Sequence, residues 1–551
     1  MSESAEQQST SRRLSADIIY RVLIGIALIL LLFQGVVYVS YAINLINFPF
    51  DYDQGEGFEL VDVMMFSEGE FPYANIETYP FYGSIYPPLY HVLLVPFAWL
   101  FGAEYWYGRL FSFVTTLISA GAIGYAVYQA GRNRTIALLA GLAFLASPIV
   151  YHIGPLFRQH ISMVMFEIIG VVLLANASEI KNTSKRRRRL ALGFIFLIAA
   201  GYTKQLAAFT AIAALAFLFI RNPRRSIFWG IGFAIVGGGI FALLTIGTDG
   251  HWWTQTVVAN VKDFFPQQAF GLLRVWWEMH ALLIVPAAIY VVYELYFDRI
   301  SIYSLWFIST TVLSAMSAGT WGAGDSYYAT SIAAFCVLSG IFAAKIIERN
   351  WAFYDNYLSR LFVHPLRRYT GQISNVGLMI VPLLYIGYAL MTFHMPTSGA
   401  GYEQIADVFG ISDNTGRNFH DPDGYTTLAY AQIGHFTTDE DIQNGYRIVD
   451  IIKAVPDDIP VLSEEAAFSL RTNRAVITNP VVLMILSWVN AFDSSELVGM
   501  IRNQEFGVIV LKAQFYPTDV LLAITEFYEE EQRIPMNGFS YMILRPRQME
   551  N

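Results

Sequence analysis

Long apolar runs separated by short polar connections dominate the first 396 positions. A helix needs about 20 such residues to cross a hydrocarbon core of ~30 Å. Eleven candidate spans follow: 18–43, 105–130, 135–153, 158–177, 190–203, 205–221, 226–246, 275–297, 301–319, 327–346 and 374–394. The apolar stretch 89–101 is too short to cross and reads as an interfacial helix. Leu190 to Ile220 is too long for one span and short for two, yet both flanks are strongly basic, so the chain has to cross twice. That puts a turn at Gly201 to Gln205, with Lys204 below the outer surface in a protein-lined cavity.

After position 396 the rhythm changes. Short strands are expected at 459–463, 474–478, 506–512 and 541–545, and helices at 443–454, 495–504 and 516–531. This alternation predicts a small α/β domain with a largely parallel sheet. The organisation expected is a tail (1–17), a membrane domain (18–396, first external loop 44–104) and a soluble domain (397–551).

Charge supplies the orientation. Arg12, Arg13, Arg132, Arg134, the run Lys185 to Arg189, Arg221, Arg224, Arg225 and Arg360 to Arg368 fall in alternate connections, which the positive-inside rule assigns to the cytoplasm. The run Lys185 to Arg189 is read as a topology anchor and not as a nucleic-acid patch. Eleven spans with the N-terminus inside leave the C-terminal domain outside, a multi-pass arrangement expected in the plasma (inner) membrane. With 55% hydrophobic and 14% charged residues the chain is no ordinary soluble domain. Its one cysteine, Cys336, lies in an apolar run and excludes disulfides and thiolate metal sites. No cleavable signal is evident. The acceptor patterns at Asn176 and Asn182 fall on the cytoplasmic side and are expected to stay unmodified.

This topology brings Asp51, Asp53, Glu56, Tyr86, His91, Arg158, His160, Lys204, His251 and Asp325 to one side of the membrane. From Asn44 to Glu104 there are nine carboxylates and no Lys or Arg. Within this loop Asp51-Tyr52-Asp53-Gln54-Gly55-Glu56 offers a general base, a chelate for a divalent cation through Asp51 and Asp53, or merely a solvated acidic loop. Buried cations at membrane depth need a partner, and for Arg158, His160 and Lys204 that is a phosphate or else a carboxylate such as Glu167. Tyr86, with Pro87 and Pro88 fixing an extended entry, His91, and Asp325 with Tyr327 and Tyr328 are candidate substrate contacts. Interfacial anchoring accounts for the tyrosines equally well, as it does for Trp252 and Trp253.

Several motifs recur together: the first-loop acidic motif, Tyr86-Pro87-Pro88-Leu89-Tyr90, Phe101-Gly102 followed by Arg109-Leu110, Thr203-Lys204-Gln205, and Gly322 with Ser326 and Tyr328. As an ensemble over residues 18–345 they resemble the GT-C superfamily of integral-membrane glycosyltransferases, close to glycosyltransferase family 39 and the aminoarabinose-transferase-like branch. The resemblance implies inverting transfer of a sugar from a polyprenyl-phosphate donor to a lipid, glycan or protein acceptor at the outer membrane face. It also implies a soluble C-terminal domain. It matches Asp53 to the family's first-loop aspartate, Lys204 to the lysine facing the donor phosphate, and Tyr328 to a late-motif tyrosine. Gln54 stands where relatives have glutamate, so Asp51 or Glu56 would supply a second carboxylate. Tyr327 stands where relatives often have asparagine. The rival expectations are a transporter or flippase of a lipid-linked or small polar substrate, and a non-catalytic glycan-binding subunit. Charges gathered on one face without an internal repeat argue against the transporter.

Overall fold

The computed structural model describes every residue except 1, 54, 178–179, 367–369, 400, 412–434 and 549–551. Gln54, Ser178, Arg367 and Arg368 therefore lie outside the described residues, as do the side chains of Arg12 and Arg13. The molecule is a mostly helical membrane protein, and each expected span falls on helix. Among the described residues six helices are long and apolar enough to cross a membrane: Ile18–Asn47, Trp106–Gly131, His160–Ala177, Pro223–Gly247, Pro266–Tyr296 and Asp325–Glu348. The other expected spans fall on shorter apolar helices or, for Thr183–Thr203, on one that starts in the basic run.

The expected span 135–153 is broken. Helix Arg134–Leu145 stops, and a second helix, Pro148–Ile153, starts with extended Ser147 accepting a hydrogen bond from Val150 N and Pro148 in the first turn. Proline lacks the N–H that a continuous helix would need, so the Ser-Pro pair forces a restart. The turn expected near Gly201 to Gln205 falls at Lys204, whose extended backbone (φ −157°, ψ 139°) separates helix Thr183–Thr203 from helix Ala208–Arg221. The short helix Leu89–Phe101 exposes Trp99, Leu100 and Phe101, in keeping with an interfacial position.

The C-terminal sheet has strands β1 (Val461–Ser463), β2 (Val508–Leu511), β3 (Tyr528–Met536) and β4 (Phe539–Pro546) in the order β1-β2-β4-β3. Only β1 and β2 pair in parallel; β4 runs antiparallel to both of its neighbours. This corrects the largely parallel sheet. The helix expected over 516–531 ends at Phe527, and the glutamates that suggested helix lie in β3. The reason is the Asn537-Gly538 turn, in which both residues have positive φ (52° and 74°), the geometry that closes a two-residue hairpin. Segment 474–478 joins no sheet; its Thr478 makes one bridge to Phe81 of the first loop.

Two apolar clusters of the C-terminal segment take in residues of the first loop, although most of the second is supplied by that segment itself. Phe50 and Tyr52 of the first loop share one apolar cluster with Ile448, Phe468, Val510, Ile534 and Tyr541. A second cluster joins Ile76, Phe81 and Ala259 to Leu462, Leu483 and Ile509. Polar ties run along the same seam: Arg471 donates to Pro49 O and pairs with Glu104 at 2.8 Å, and Asn537 Nδ2 donates to Tyr52 O at 2.8 Å.

Asn537 thus serves both the hairpin and the seam. Asn537→Ala is expected to lower stability by about 1–3 kcal/mol through backbone strain and the lost hydrogen bond. Asn537→Gly, which relieves the strain alone, should fall between that variant and wild type in thermal unfolding in detergent.

Candidate active site

The first loop is anchored by a wholly buried arginine. Arg109, in helix Trp106–Gly131, spends all five N–H groups: Nε and Nη2 donate to Glu56 (3.0 and 2.7 Å), and the rest to the carbonyls of Leu45, Phe48 and Phe50 (2.7, 2.5 and 2.7 Å). Glu56 also accepts from the backbone N–H groups of Tyr52, Asp53 and Phe157. Burial opposes ionisation of Glu56, but Arg109 and these amides hold its pKa below the usual value. Glu56 is therefore an ionised anchor with no capacity left for a substrate proton.

Anchoring at Phe157 delivers the next residue. Arg158 Nε and Nη2 donate to Asp53 Oδ2 at 3.2 and 3.0 Å, and Nη1 to Glu59 at 3.3 Å. Asp53 Oδ1 is buried and makes no hydrogen bond among the described residues. Burial pushes the Asp53 carboxyl above the ordinary aspartate range, with the Arg158 guanidinium pulling it back. Arg158, expected at a phosphate, is engaged with the carboxylates in this structure. Glu167 is not its partner: it sits fully buried between the hydroxyls of Thr210 and Thr330, at 2.5 and 2.6 Å.

Behind Asp53 the acidic residues form a hydrogen-bonded row. His91 Nε2 lies 2.6 Å from Glu59 and 3.6 Å from Asp62. Gln159 donates to Glu59 at 3.0 Å in the amide orientation that satisfies both of its ends. Tyr82 Oη donates to Asp62 at 2.8 Å, and Ser84 Oγ donates to it as well. Burial raises Asp62 to about 6. His91, expected as a substrate contact, is fully buried and orients this row.

Asp51 faces the other way. Its Oδ1 accepts from Gly57 N while Oδ2 is unpartnered. Burial and the neighbouring Glu465 push it well above the usual range. Glu465 is supplied by the C-terminal domain, where it pairs with buried Lys512 at 2.5 Å and accepts from Tyr541 Oη at 2.8 Å. Asp51 and Asp53 thus answer to different partners, and among the described residues no three His, Cys, Asp or Glu side chains group to hold a metal ion.

Lys204 completes the picture. It is 4% exposed, its Nζ donates to His160 Nδ1, and the rings of Tyr86 and Tyr327 lie 5.3 and 5.7 Å away. Among the described residues no carboxylate lies within 4.0 Å of it. Of the expected phosphate-binding residues His160 touches Lys204, Tyr86 from the expected substrate contacts lies against it as well, and the ring from the late motif is Tyr327. Tyr328 is fully buried and stacks on Trp276 at 5.4 Å. Asp325 is buried at the start of the turn Asp325–Tyr328.

Sequence reasoning assigned no role to Glu59, Asp62, Arg109, Lys262, Glu465 or Lys512. The signal for Arg109 was present, a lone arginine at the start of an apolar run, where a charge has to find a buried partner.

The chain can now be set beside known proteins. A family model described as dolichyl-phosphate-mannose-protein mannosyltransferase matches residues 86–252. Among solved structures, ArnT from Cupriavidus metallidurans in the apo state is similar at 13% sequence identity and a TM-score of 0.56, over 93% of this chain and 97% of that one. The same protein bound to undecaprenyl phosphate gives a TM-score of 0.57 at 13% identity, over 95% and 97%. No curated protein matches by sequence. The resemblance to GT-C glycosyltransferases is borne out in the fold of nearly the whole chain and in this matched segment.

If Arg109 carries the loop, removing it leaves Glu56 buried without a counter-ion. Arg109→Met should cost about 3–5 kcal/mol. Arg109→Lys should not restore the wild-type melting temperature, since an ammonium cannot reproduce the five-donor fork. Thermal unfolding of the purified variants in detergent reads both.

Proposed function

We infer that this chain is a GT-C-type membrane glycosyltransferase acting on a polyprenyl-phosphate sugar, and that Asp53, Arg158, Lys204 and His160 carry its chemistry. One observation supports this reading above the others: Arg158 clamps one oxygen of a buried carboxylate whose other oxygen has no partner among the described residues. The same Arg158 lies close enough to a buried ammonium for their charges to oppose, an ammonium with no carboxylate within 4.0 Å among the described residues. The carboxylate has the form of a general base, and the ammonium is a cation waiting for an anion.

The acceptor hydroxyl gives its proton to Asp53 Oδ1 while its oxygen attacks the anomeric carbon on the face opposite the phosphate. The bond from that carbon to the phosphate oxygen breaks, and the sugar leaves with inverted configuration. Arg158 holds Asp53 by the other oxygen and fixes its direction. Negative charge grows on the departing polyprenyl phosphate, and Lys204, held between Tyr86 and Tyr327 and against His160, is the group we assign to neutralise it. Tyr86 and Asp325 are assigned to the substrate side. In this reading the site opens at the outer membrane face, the N-terminal tail is cytoplasmic, and residues 397–551 lie outside and cap the first loop.

Asp53→Asn should reduce sugar transfer by about 10²–10⁴-fold, the usual worth of a positioned base. The check is mass spectrometry of a panel of polyprenyl-phosphate sugars incubated with purified enzyme and host membrane extract. A donor consumed equally by wild type and variant removes Asp53 from the base role.

The pH profile follows with a definite sign. A base works deprotonated, so kcat/KM rises with pH through the Asp53 pKa. Because burial raises that pKa, the acid limb should lie above the ordinary aspartate value of about 4. Arg158→Gln removes the charge that lowers it and should move the limb further up. Lys204→Met should instead weaken polyprenyl-phosphate binding, by at least about tenfold for one charge-assisted contact.

A further inference from the structure

Beside the donor site the structure carries a cation that the mechanism above does not use. Lys262 lies in the connection before helix Pro266–Tyr296, close enough for its charge to oppose that of Lys204. Its Nζ donates to Trp321 O at 3.2 Å and lies 5.8 Å from the Trp321 ring. Among the described residues it has no carboxylate within 4.0 Å. Burial lowers its pKa to about 8, so it is charged at neutral pH and gains from an anion that replaces lost hydration.

The ring of Trp321, whose carbonyl accepts this hydrogen bond from Lys262, forms an aromatic shelf with the C-terminal domain. Trp321 meets Trp488 edge to face at 4.8 Å and 88°, and Phe515 at 6.1 Å. Trp488 is 51% exposed at the end of helix Pro480–Trp488, which packs on the turn Val258–Asn260 just before Lys262. The backbone beside Trp321 is bare: Gly322 takes a positive φ of 78°, and a Cβ there would meet only Lys262 Nζ at 3.8 Å. The shelf is fixed in place because Asn479 Nδ2 donates to Gly83 O at 3.1 Å and Thr478 bridges Phe81. It continues along the chain through Asp325 to Tyr327 at Lys204.

We propose that Trp488, Trp321 and Lys262 form an acceptor subsite for a negatively charged sugar, its ring stacked on the exposed indole and its anionic group paired with Lys262. Aromatic faces suit the apolar face of a pyranose, and the ammonium selects charged sugars over neutral ones. The proposal deepens the glycosyltransferase reading and rests on it, by naming the class of acceptor. The competing account of these side chains is plain anchoring at the membrane interface.

Calorimetric titration of the full-length protein in detergent tests it with three probes: a glucuronic-acid disaccharide, a hexose phosphate and a neutral glucose disaccharide. At least one anionic probe should bind ten or more times tighter than the neutral one. Trp488→Ala and Lys262→Gln should each weaken that binding tenfold or more, while Trp488→Phe and Lys262→Arg retain it. Both loss variants should bind a polyprenyl phosphate within twofold of wild type. Equal binding of anionic and neutral probes, no saccharide binding, or variants that only lower the melting temperature would overturn the subsite. Loss of polyprenyl-phosphate binding in Lys262→Gln would overturn it too, moving Lys262 to the donor. Wild type that binds the saccharide but no polyprenyl phosphate would sink the glycosyltransferase reading instead.

Discussion

Removing a guanidinium from water is so costly that a protein tolerates it only where every donor is answered, and around Arg109 the answers come from one stretch of chain, Leu45 to Glu56. The carbonyls belong to the end of the first helix and the start of the loop, the carboxylate to the head of helix Glu56–Glu68, and Glu56 itself reaches on to Phe157. One ion pair thereby sets the distance between the loop bearing Asp53 and the segment bearing Arg158. The pair is not primarily a source of stability, since buried ion pairs rarely contribute much net energy. Its value is positional. Both members are saturated, so neither is free to engage anything else, whereas Asp53, three residues earlier, keeps one oxygen without a hydrogen bond among the described residues.

The same accounting separates the remaining charges. Arg158 is balanced by Asp53 and Glu59, and Lys512 by Glu465. Lys204 is surrounded by rings and a histidine. A neutral imidazole and two aromatic faces stabilise an ammonium without cancelling it, which leaves its charge available to an incoming anion. Had a carboxylate stood there, a donor phosphate would have had to displace it.

What the sequence reveals depends on how local the cause is. Span positions rest on the length of apolar runs, a one-dimensional property, and every run lies on helix. The acidic loop was equally legible, because a stretch with nine carboxylates and no Lys or Arg needs no partner to be noticed. The break at Ser147-Pro148 and the Asn537-Gly538 hairpin were written locally too, in a capping serine before proline and in a dipeptide that favours positive φ. They were outweighed by a continuous apolar run in one case and by the helix-favouring glutamates of β3 in the other. The pairings Arg109–Glu56 and Arg158–Asp53 span 53 and 105 residues, and no local pattern encodes them. Tyr327 rather than Tyr328 reaches Lys204 because a tight turn, not a helix, leads into helix Ala329–Glu348 and shifts which face each ring occupies.

The distribution of apolar burial bears on how the two halves work together. Besides the apolar cluster that the C-terminal segment largely supplies itself, Phe468 packs on Phe50 and Leu462 shares a cluster with Phe81. Separating the C-terminal segment from the first loop would expose the apolar surface at this seam, at roughly 25 cal/mol for each Å². Glu465, paired with Lys512, is held beside Asp51 by the same contacts, so the surroundings of that first-loop aspartate depend on the C-terminal segment.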